Sequence, residues 1–333
     1  MNFLKKLFLK KIIFKKVNQI DILMLDDKFA NINFNNLNFH YFNPNKYYFF
    51  EFLKSIFVFV KNLFQKKFSV IYFEIFVNSL KPKIAVGHEM NNRIFLFKKI
   101  FPHKKAACYQ FAFIFKEDID FFYRKKFKNL KVDYFFAYDK RSIFIMQKYI
   151  KANYFINGST KANEKIKHSS YSNNQITYIS RFKPLSHIKN KKILKMQKSF
   201  MKYDSLLLKI IYEYCLKKKI KLVIAFTSTR KDKKKYNFFE EELNYYKDLV
   251  RNFQISKDNF QSCLKSKLVK SSTPNLGYEL FFAKKKVLFL DEIRKEQYSF
   301  FKTNSGPFWY CGQNTKKIRN YIDDNFKDNQ VAW

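Results

Sequence analysis

Residues 269–291, VKSSTPNLGYELFFAKKKVLFLD, combine side chains that could bind a sugar phosphate. The pattern predicts the end of a strand, a polar turn, a helix and a second apolar strand. The chain has only five glycines, where average usage would give about 23, so we expect close backbone approach at Gly277. A helix N-terminus binds phosphate through its N–H groups, and Glu279, predicted in the first turn, could accept ribose hydroxyl bonds. The alternative is an ordinary strand–turn–helix unit capped by Ser272 or Thr273.

A second group of residues could transfer protons. His88 and Glu89 follow a predicted strand at residues 84–86, and Asp26 and Asp27 end the first apolar run of the chain. Carboxylates and histidine are the usual general bases, and the carboxyl ends of parallel strands are where open α/β sheets bind ligands. We therefore predict His88 and Glu89 as the catalytic pair, with the two aspartates as competitors. The alternative is a loop histidine and a helix-capping glutamate.

Two arginines also follow predicted strands. Arg181 comes after residues 176–180, and Arg230 comes shortly after residues 220–226. The chain has eight arginines in all, and the planar guanidinium group suits bidentate contact with phosphate. Both arginines are therefore predicted to contact a phosphorylated ligand, against the alternative that each is a surface or salt-bridge residue.

Several classes of site are excluded by missing motifs. No GxGxxG follows the first strand and no GxxxxGK[ST] occurs, which argues against a dinucleotide oxidoreductase and a P-loop NTPase. The four cysteines are at least 48 residues apart, so no zinc spacing or disulfide framework is indicated. The sequence predicts neither a metal site nor a cofactor.

The formal net charge of +39 would ordinarily indicate nucleic acid or an anionic membrane as a partner. The cations, however, are 58 lysines and 8 arginines, spread along the chain rather than grouped. A protein selected to read bases would favour arginine. We therefore expect no specific nucleic acid, and a basic nucleic-acid-binding protein is kept as an alternative function.

The order of apolar runs predicts two α/β domains with parallel sheets. Strand and helix patterns alternate up to about residue 157, stop in a polar stretch, and restart near residue 176. The predicted organisation is an N-terminal domain, a linker, a C-terminal domain and a terminal helix with a tail, at residues 1–157, 158–175, 176–312 and 313–333. Three segments are predicted by pattern alone: a strand at 69–76, a helix at 139–150 and a helix at 199–219.

The N-terminal sequence MNFLKKLFLKKIIFKKV is basic, and lysines interrupt each of its apolar runs. This pattern is unlike a secretory signal, and no stretch approaches the 18 apolar residues of a membrane span. The expectation is a cytoplasmic protein with peripheral contact to an anionic membrane, to which each lysine near the surface would contribute about 1 kcal/mol.

The segment S-S-T-P-N-L-G-Y-E-L resembles the donor-site segment of GT-B glycosyltransferases, and more narrowly the bacterial surface-carbohydrate and capsule-transferase group. That group has S-T-x-G-Y-E between a strand and a helix, whereas this chain inserts Pro274 and Asn275. Weaker likenesses occur in the same order at residues 81–86, 157–159, 176–182, 224–230 and 240–246. The resemblance spans residues 70–310.

The resemblance implies two Rossmann-like domains facing a central cleft. It also implies a metal-independent transfer of sugar from a nucleotide-sugar donor to a glycan or lipid-linked acceptor, in lipopolysaccharide or capsule synthesis at the inner face of the membrane. The donor-binding residues would be Ser272, Thr273, Asn275, Gly277, Glu279, Arg181 and Arg230. A nucleotide-sugar epimerase of similar fold is the alternative enzyme.

Overall fold

The computed structural model describes residues 11–15, 17–26, 36–62, 65–111, 130–159, 174–188, 190–227, 238–272, 275–292 and 303–327. These residues form two compact units. The first unit contains the described residues up to 157, and the second contains those from 158 onward.

The first unit alternates strands and helices. Its elements are β1 (Lys11–Ile13), β2 (Ile22–Met24), β3 (Phe39–Tyr41), β4 (Lys46–Tyr48), α1 (Phe49–Lys61), α2 (Phe68–Leu80), β5 (Ile84–His88), α3 (Asn92–Ile100), β6 (Lys105–Tyr109), β7 (Leu130–Ala137), α4 (Lys140–Met146) and β8 (Ile150–Ile156). Six of the strands form a parallel sheet in the order β3-β2-β5-β6-β7-β8. β1 and β4 form a separate parallel pair. The apolar run of β2 is fully buried, as expected for a strand covered on both faces of a parallel sheet.

Two sequence predictions in this unit are wrong. Residues 69–76 were expected as a strand but lie in the 13-residue helix α2, which is buried on most of its circumference. A segment that is apolar on all sides has no helical periodicity, so its aromatic and β-branched residues resemble a buried strand. The helix expected at 139–150 ends at Met146, and Ile150 starts strand β8.

The second unit repeats the alternating plan. Its elements are β9 (Gln175–Ile179), α5 (Lys191–Lys218), β10 (Lys221–Ala225), α6 (Phe239–Leu249), β11 (Gln254–Ile255), α7 (Asn259–Lys265), β12 (Leu268–Ser271), α8 (Asn275–Phe282), β13 (Val287–Asp291), β14 (Ser305–Gly306), β15 (Trp309–Cys311) and α9 (Thr315–Lys327). The sheet order is β11-β10-β9-β12-β13-β15-β14, and only β14 is antiparallel to its neighbour in the described sheet.

One apolar core joins the sheet of the second unit to its long helices. Leu207 and Ile211 of α5, Ile224 of β10 and Ile318 and Ile322 of α9 are all buried in it. Helix α5 begins at Lys191, eight residues before the predicted start at 199. Among the described helices, none combines the length and apolar content that a bilayer-spanning segment needs.

Candidate active site

Four neighbouring strands of the second unit end at one edge of its sheet. β10, β9, β12 and β13 lie side by side and run parallel. The residues at or just beyond their carboxyl ends are Thr227, Arg181, Ser272 and Asp291. In open α/β sheets, ligands bind beyond this end of the strands, so we refer to these four positions as the second-unit edge.

Arg181 is held in place at this edge by an acid and a ring. Its Nη1 lies 3.1 Å from Oδ1 of Asp291, and its guanidinium carbon lies 4.5 Å from the centroid of the Phe200 ring. The Arg181 side chain is 9% exposed. A charge-assisted hydrogen bond and a stacked ring together fix the orientation of the guanidinium group, so a cation is pre-positioned at the ends of the strands.

A buried carboxylate supports the loops that follow β9 and β10. Glu242 of α6 is fully buried. Its Oε1 accepts hydrogen bonds from the Ser180 hydroxyl and from the Thr227 N–H, and its Oε2 accepts one from the Thr227 hydroxyl at 3.0 Å. Hydrogen bonds to a buried charge are among the stronger ones in proteins. Glu242 therefore fixes the chain at Ser180, directly before Arg181, and at Thr227, just beyond β10.

A second buried carboxylate continues this polar network into the core. Asp204 of α5 accepts hydrogen bonds from the Tyr178 hydroxyl at 2.6 Å and from Lys270 Nζ at 3.2 Å. The Tyr246 hydroxyl lies 2.8 Å from Ser180 Oγ and 3.4 Å from Asp204 Oδ2, so it joins the two carboxylates. We call these residues, together with Glu242, the buried polar network.

Lys270 is the unusual member of this network. It is 1% exposed, and its Nζ also lies 4.0 Å from the centroid of the Tyr178 ring. Burial lowers the pKa of Lys270 to about 8, and the Asp204 carboxylate opposes that shift. Burial raises the pKa of Tyr178 and of Tyr246, each beside Asp204. The pKa values of these three groups therefore differ strongly from those of the same groups in water.

Gly277 does make the close approach that the sequence predicts, and the neighbour is a side chain of the same unit. A Cβ atom at this position would lie 2.0 Å from Ser271 Oγ and 2.5 Å from Ser271 Cβ. The glycine therefore allows α8 to pack directly on β12. The Ser271 hydroxyl is buried without a hydrogen-bond partner in the described part of the chain. Contact between this backbone and a nucleotide stays a prediction.

Two further predicted donor residues, Ser272 and Glu279, are described by the structure. The Ser272 hydroxyl donates to the Leu290 carbonyl at 2.7 Å, which ties the end of β12 to β13. Glu279 is buried but is the fifth residue of α8, so the expectation of an acid in the first turn is wrong. Thr273, Arg230 and the side chain of Asn275 lie outside the described residues.

The first unit brings three predicted residues together at the carboxyl edge of its own sheet. Asp26 follows β2, His88 ends β5 and Glu89 follows it, while Tyr109 ends the next strand, β6. Asp26 Oδ1 accepts from the Tyr109 hydroxyl at 2.7 Å, and Asp26 Oδ2 accepts from the His88 N–H at 3.2 Å. We call these four residues the first-unit edge. Asp27 lies outside the described residues.

The hydrogen bonds of the first-unit edge show which of its candidate bases are placed to accept a proton. His88 Nδ1 accepts from the Met90 N–H at 3.1 Å, so a neutral His88 carries its proton on Nε2, where it donates. Glu89 is almost fully buried, and its Oε2 accepts from the Phe111 N–H at 2.7 Å. Burial, with Asp26 next in effect, raises the pKa of Tyr109. The carboxylates are therefore better placed than the imidazole to take a proton.

Sequence reasoning missed Tyr109 and the buried polar network. The available signal for the network was Lys270, a charged residue inside an otherwise buried strand. Its partner Asp204 is 66 residues away in sequence, and nothing local connects the two. Within the described residues, no group of three histidine, cysteine or acidic side chains is arranged to hold a metal ion.

Three solved structures illustrate what the chain resembles. A "putative UDP-N-acetylglucosamine 2-epimerase" from Listeria monocytogenes superposes with a TM-score of 0.52 at 9% identity, over 94% of this chain and 89% of that one. The UDP-GlcNAc 2-epimerase of Methanocaldococcus jannaschii gives a TM-score of 0.47 at 13% identity, over 95% and 94%. MurG of Acinetobacter baumannii gives 0.39 at 10% identity, over 79% and 70%. The fold is that of GT-B enzymes, as the sequence resemblance implied.

Sequence comparison gives the family directly. No curated protein matches the chain significantly. Residues 114–333, about two thirds of the chain, match the profile of a family described as "putative O-antigen biosynthesis protein". The chain belongs to this O-antigen biosynthesis family.

Proposed function

We propose that this protein is a glycosyltransferase that moves a sugar from a nucleotide-sugar donor to a glycan or lipid-linked acceptor of a surface polysaccharide. The O-antigen family supports the biosynthetic setting. The GT-B-like fold supports the choice of substrate class, because glycosyltransferases and nucleotide-sugar epimerases share it.

One observation carries the proposal. Strands β9 and β12 are parallel neighbours, with Tyr178 opposite Lys270, so both reach the second-unit edge at the same level. β9 is followed by Arg181 and β12 leads into the N-terminus of α8. A guanidinium group and a helix N-terminus both favour an anion. Adjacent strands lie about 4.8 Å apart, a separation that the phosphates of one nucleotide diphosphate can bridge.

The proposed reaction needs a group that stabilises the leaving nucleotide and a group that takes up a proton. Arg181 and the N-terminus of α8 would stabilise the nucleotide diphosphate as the bond from its oxygen to the sugar C1 breaks. The acceptor oxygen forms the new bond to C1 and gives its proton to a general base, for which Glu89 is the first candidate. We assign neutralisation of the leaving phosphate's charge to Arg181 and the N-terminus of α8 rather than to a chelated metal.

The place of action follows from the proposed acceptor. A lipid-linked glycan is presented at the inner face of the cell membrane, so the proposal includes a cytoplasmic enzyme at the membrane periphery. The charge of +39 is compatible with an anionic surface.

A thermal-shift screen of nucleotides and nucleotide sugars tests donor binding. A ligand at 100 times its Kd should add about 2.7 kcal/mol of stability. Arg181→Gln should weaken the bound nucleotide roughly tenfold or more, the effect of losing a hydrogen bond to a charged group. Arg319→Gln is the matched control, because Arg319 forms an exposed ion pair with Glu213 in the same unit. A screen in which no nucleotide or nucleotide sugar shifts the melting temperature would overturn the proposal.

Product analysis then separates the alternatives. A transferase consumes the donor only with an acceptor and leaves a glycosylated product, whereas an epimerase isomerises the sugar without one. A protein that does not bind nucleotide sugars, but binds DNA or RNA with an affinity that falls steeply with salt, would instead be a nucleic-acid-binding protein.

A further inference from the structure

Helix α1 presents an apolar face to solvent. Phe57 is 71% exposed, Val60 55%, Phe50 53% and Leu53 46%. The spacing of these four residues places them on one side of the helix. Single exposed apolar residues are ordinary on a protein surface, but a contiguous row marks an interaction site.

The buried side of the same helix includes two polar residues. Glu51 and Ser55 are buried, and the Ser55 hydroxyl bonds to the Glu51 carbonyl. Phe52 and Phe59 of this side contact the Phe68 ring at the start of α2. Helix α1 turns its lysines outward, as a surface helix normally does, but it buries its only carboxylate and exposes four large apolar side chains. This is the arrangement expected when a second apolar medium lies outside.

The apolar surface continues beyond the helix. Phe14 is 77% exposed, and its ring lies 4.8 Å from that of Phe49, the first residue of α1. Phe14 directly follows β1, which pairs with β4, the strand that leads into α1. The α1 surface is defined here as Phe14, Phe50, Leu53, Phe57 and Val60.

Lysines border this surface. Lys54 and Lys61 follow Phe50 and Phe57 by four residues, on the same side of the helix, and both are exposed. Lys11, Lys15 and Lys46, on and beside the β1–β4 pair, are exposed as well. Residues 1–67 contain 12 lysines and four acidic residues. Apolar side chains beside lysines match the acyl chains and the negative headgroups of an anionic bilayer.

We infer that the α1 surface docks the protein on an anionic phospholipid leaflet, with α1 lying in the plane of the interface. A second copy of the chain suits this surface less well, because a symmetric contact would bring its lysines against each other. The inference goes beyond the proposed transferase activity and does not depend on it, since lipid binding is measured without donor or acceptor.

Co-sedimentation of the full chain with extruded vesicles tests the inference. Vesicles of 30% phosphatidylglycerol in phosphatidylcholine should bind the parent protein, and vesicles of phosphatidylcholine alone should bind it much less. Phe50→Ser/Phe57→Ser should weaken binding at least tenfold, because each ring loses its burial in lipid. Lys54→Gln/Lys61→Gln should weaken it by about fivefold for each lysine and reduce its salt dependence.

Matched controls separate this surface from the overall charge and hydrophobicity. Phe144 is 59% exposed on α4 of the same unit, and Lys202 and Lys209 are exposed on α5. Phe144→Ser and Lys202→Gln/Lys209→Gln should bind vesicles like the parent. Equal losses in test and control variants would overturn the inference. The inference would also be overturned if the parent protein did not bind anionic vesicles. It would be overturned as well if the parent formed a dimer and the Phe50→Ser/Phe57→Ser variant were a monomer.

Discussion

The two sheets of this protein end in edges of different chemical character. At the first-unit edge, the acids Asp26 and Glu89 lie just beyond the strand ends, beside His88 and Tyr109. At the second-unit edge a cation, Arg181, pairs with the acid at the end of β13, Asp291. Similar parallel sheets therefore support different chemistry, because the residues at the ends of their strands differ.

The acids of the second unit have a different task from those of the first. Glu242 and Asp204 are buried beneath the edge, where they accept hydrogen bonds from Thr227, Ser180 and Lys270. A buried ion pair adds little net stability over a well-packed apolar group, but losing one partner is costly. We therefore interpret the buried polar network as a support for the edge, and the first-unit acids as candidates for proton transfer.

The largest expected effect is on catalysis at the first-unit edge. Glu89→Gln should lower turnover by about 10²- to 10⁴-fold, the usual contribution of a general base, while nucleotide affinity stays near that of the parent. The matched control is Glu74→Gln, since Glu74 forms an exposed pair with Lys66 in the same unit. Steady-state transfer assays and nucleotide titration measure the two quantities.

Rival bases are ranked by the same assays. Asp26→Asn tests the competing carboxylate, and His88→Ala tests the imidazole. Should Glu89→Gln and His88→Ala both retain turnover within a few-fold of the parent, the assignment is wrong and Asp26 becomes the better candidate.

The next effect is on the stability of the second unit. Asp204→Asn leaves Lys270 buried without its carboxylate and should lower the free energy of unfolding by about 3–5 kcal/mol. Glu213→Gln, which breaks the exposed pair with Arg319, should change it by less than about 1 kcal/mol. Denaturant unfolding gives both values, and similar losses in the two variants would refute the distinction between network and surface.

A smaller effect concerns pH. The pKa of Lys270 falls from 10.5 to about 8 in the folded protein. Lys270 therefore takes up a proton on unfolding between pH 8 and 10.5, which contributes a rise of up to about 3 kcal/mol to the free energy of unfolding across that window. Buried cysteines and tyrosines, whose pKa values burial raises, contribute a fall in the upper part of the window. Lys270→Met should therefore lower the slope relative to the parent. A rising contribution should remain, because burial also lowers the pKa of Lys285 to about 8.

Unfolding curves at several pH values measure this slope. Lys209→Gln, an exposed lysine of α5, should keep the slope of the parent. A slope in Lys270→Met that equals the parental slope would show that Lys270 titrates as it does in the unfolded chain.

The sequence predicted those features that are local. The strand end predicted at the start of residues 269–291 is confirmed as β12, because an apolar run and a polar turn define it. Asp26, His88 and Glu89 were expected to share an edge because the carboxyl ends of neighbouring parallel strands meet. Their register in the sheet bears this out, with Met24 opposite Val86.

Features that depend on packing were not predictable. Helix α2 has apolar residues on most of its circumference, so its helical periodicity was too weak to identify it. The hydrogen bond between Lys270 and Asp204 depends on α5 lying against β12, which no local pattern specifies. Gly277 is an intermediate case. The rarity of glycine in this chain indicated close contact at this position, but only the structure identifies Ser271 as the neighbour.

The smallest expected effect tests that packing at the second-unit edge. A methyl group on residue 277 would lie 2.0 Å from Ser271 Oγ, so Gly277→Ala should cost about 1–3 kcal/mol through overpacking. Ser271→Gly removes both atoms that clash, and the double variant should recover much of the loss, with a coupling energy of about 0.5–3 kcal/mol. Nucleotide titration of the folded double variant then measures ligand binding separately from stability. An affinity equal to that of the parent would show that Gly277 serves packing alone. Weakened affinity in a variant of restored stability would support the prediction that this backbone approaches the donor.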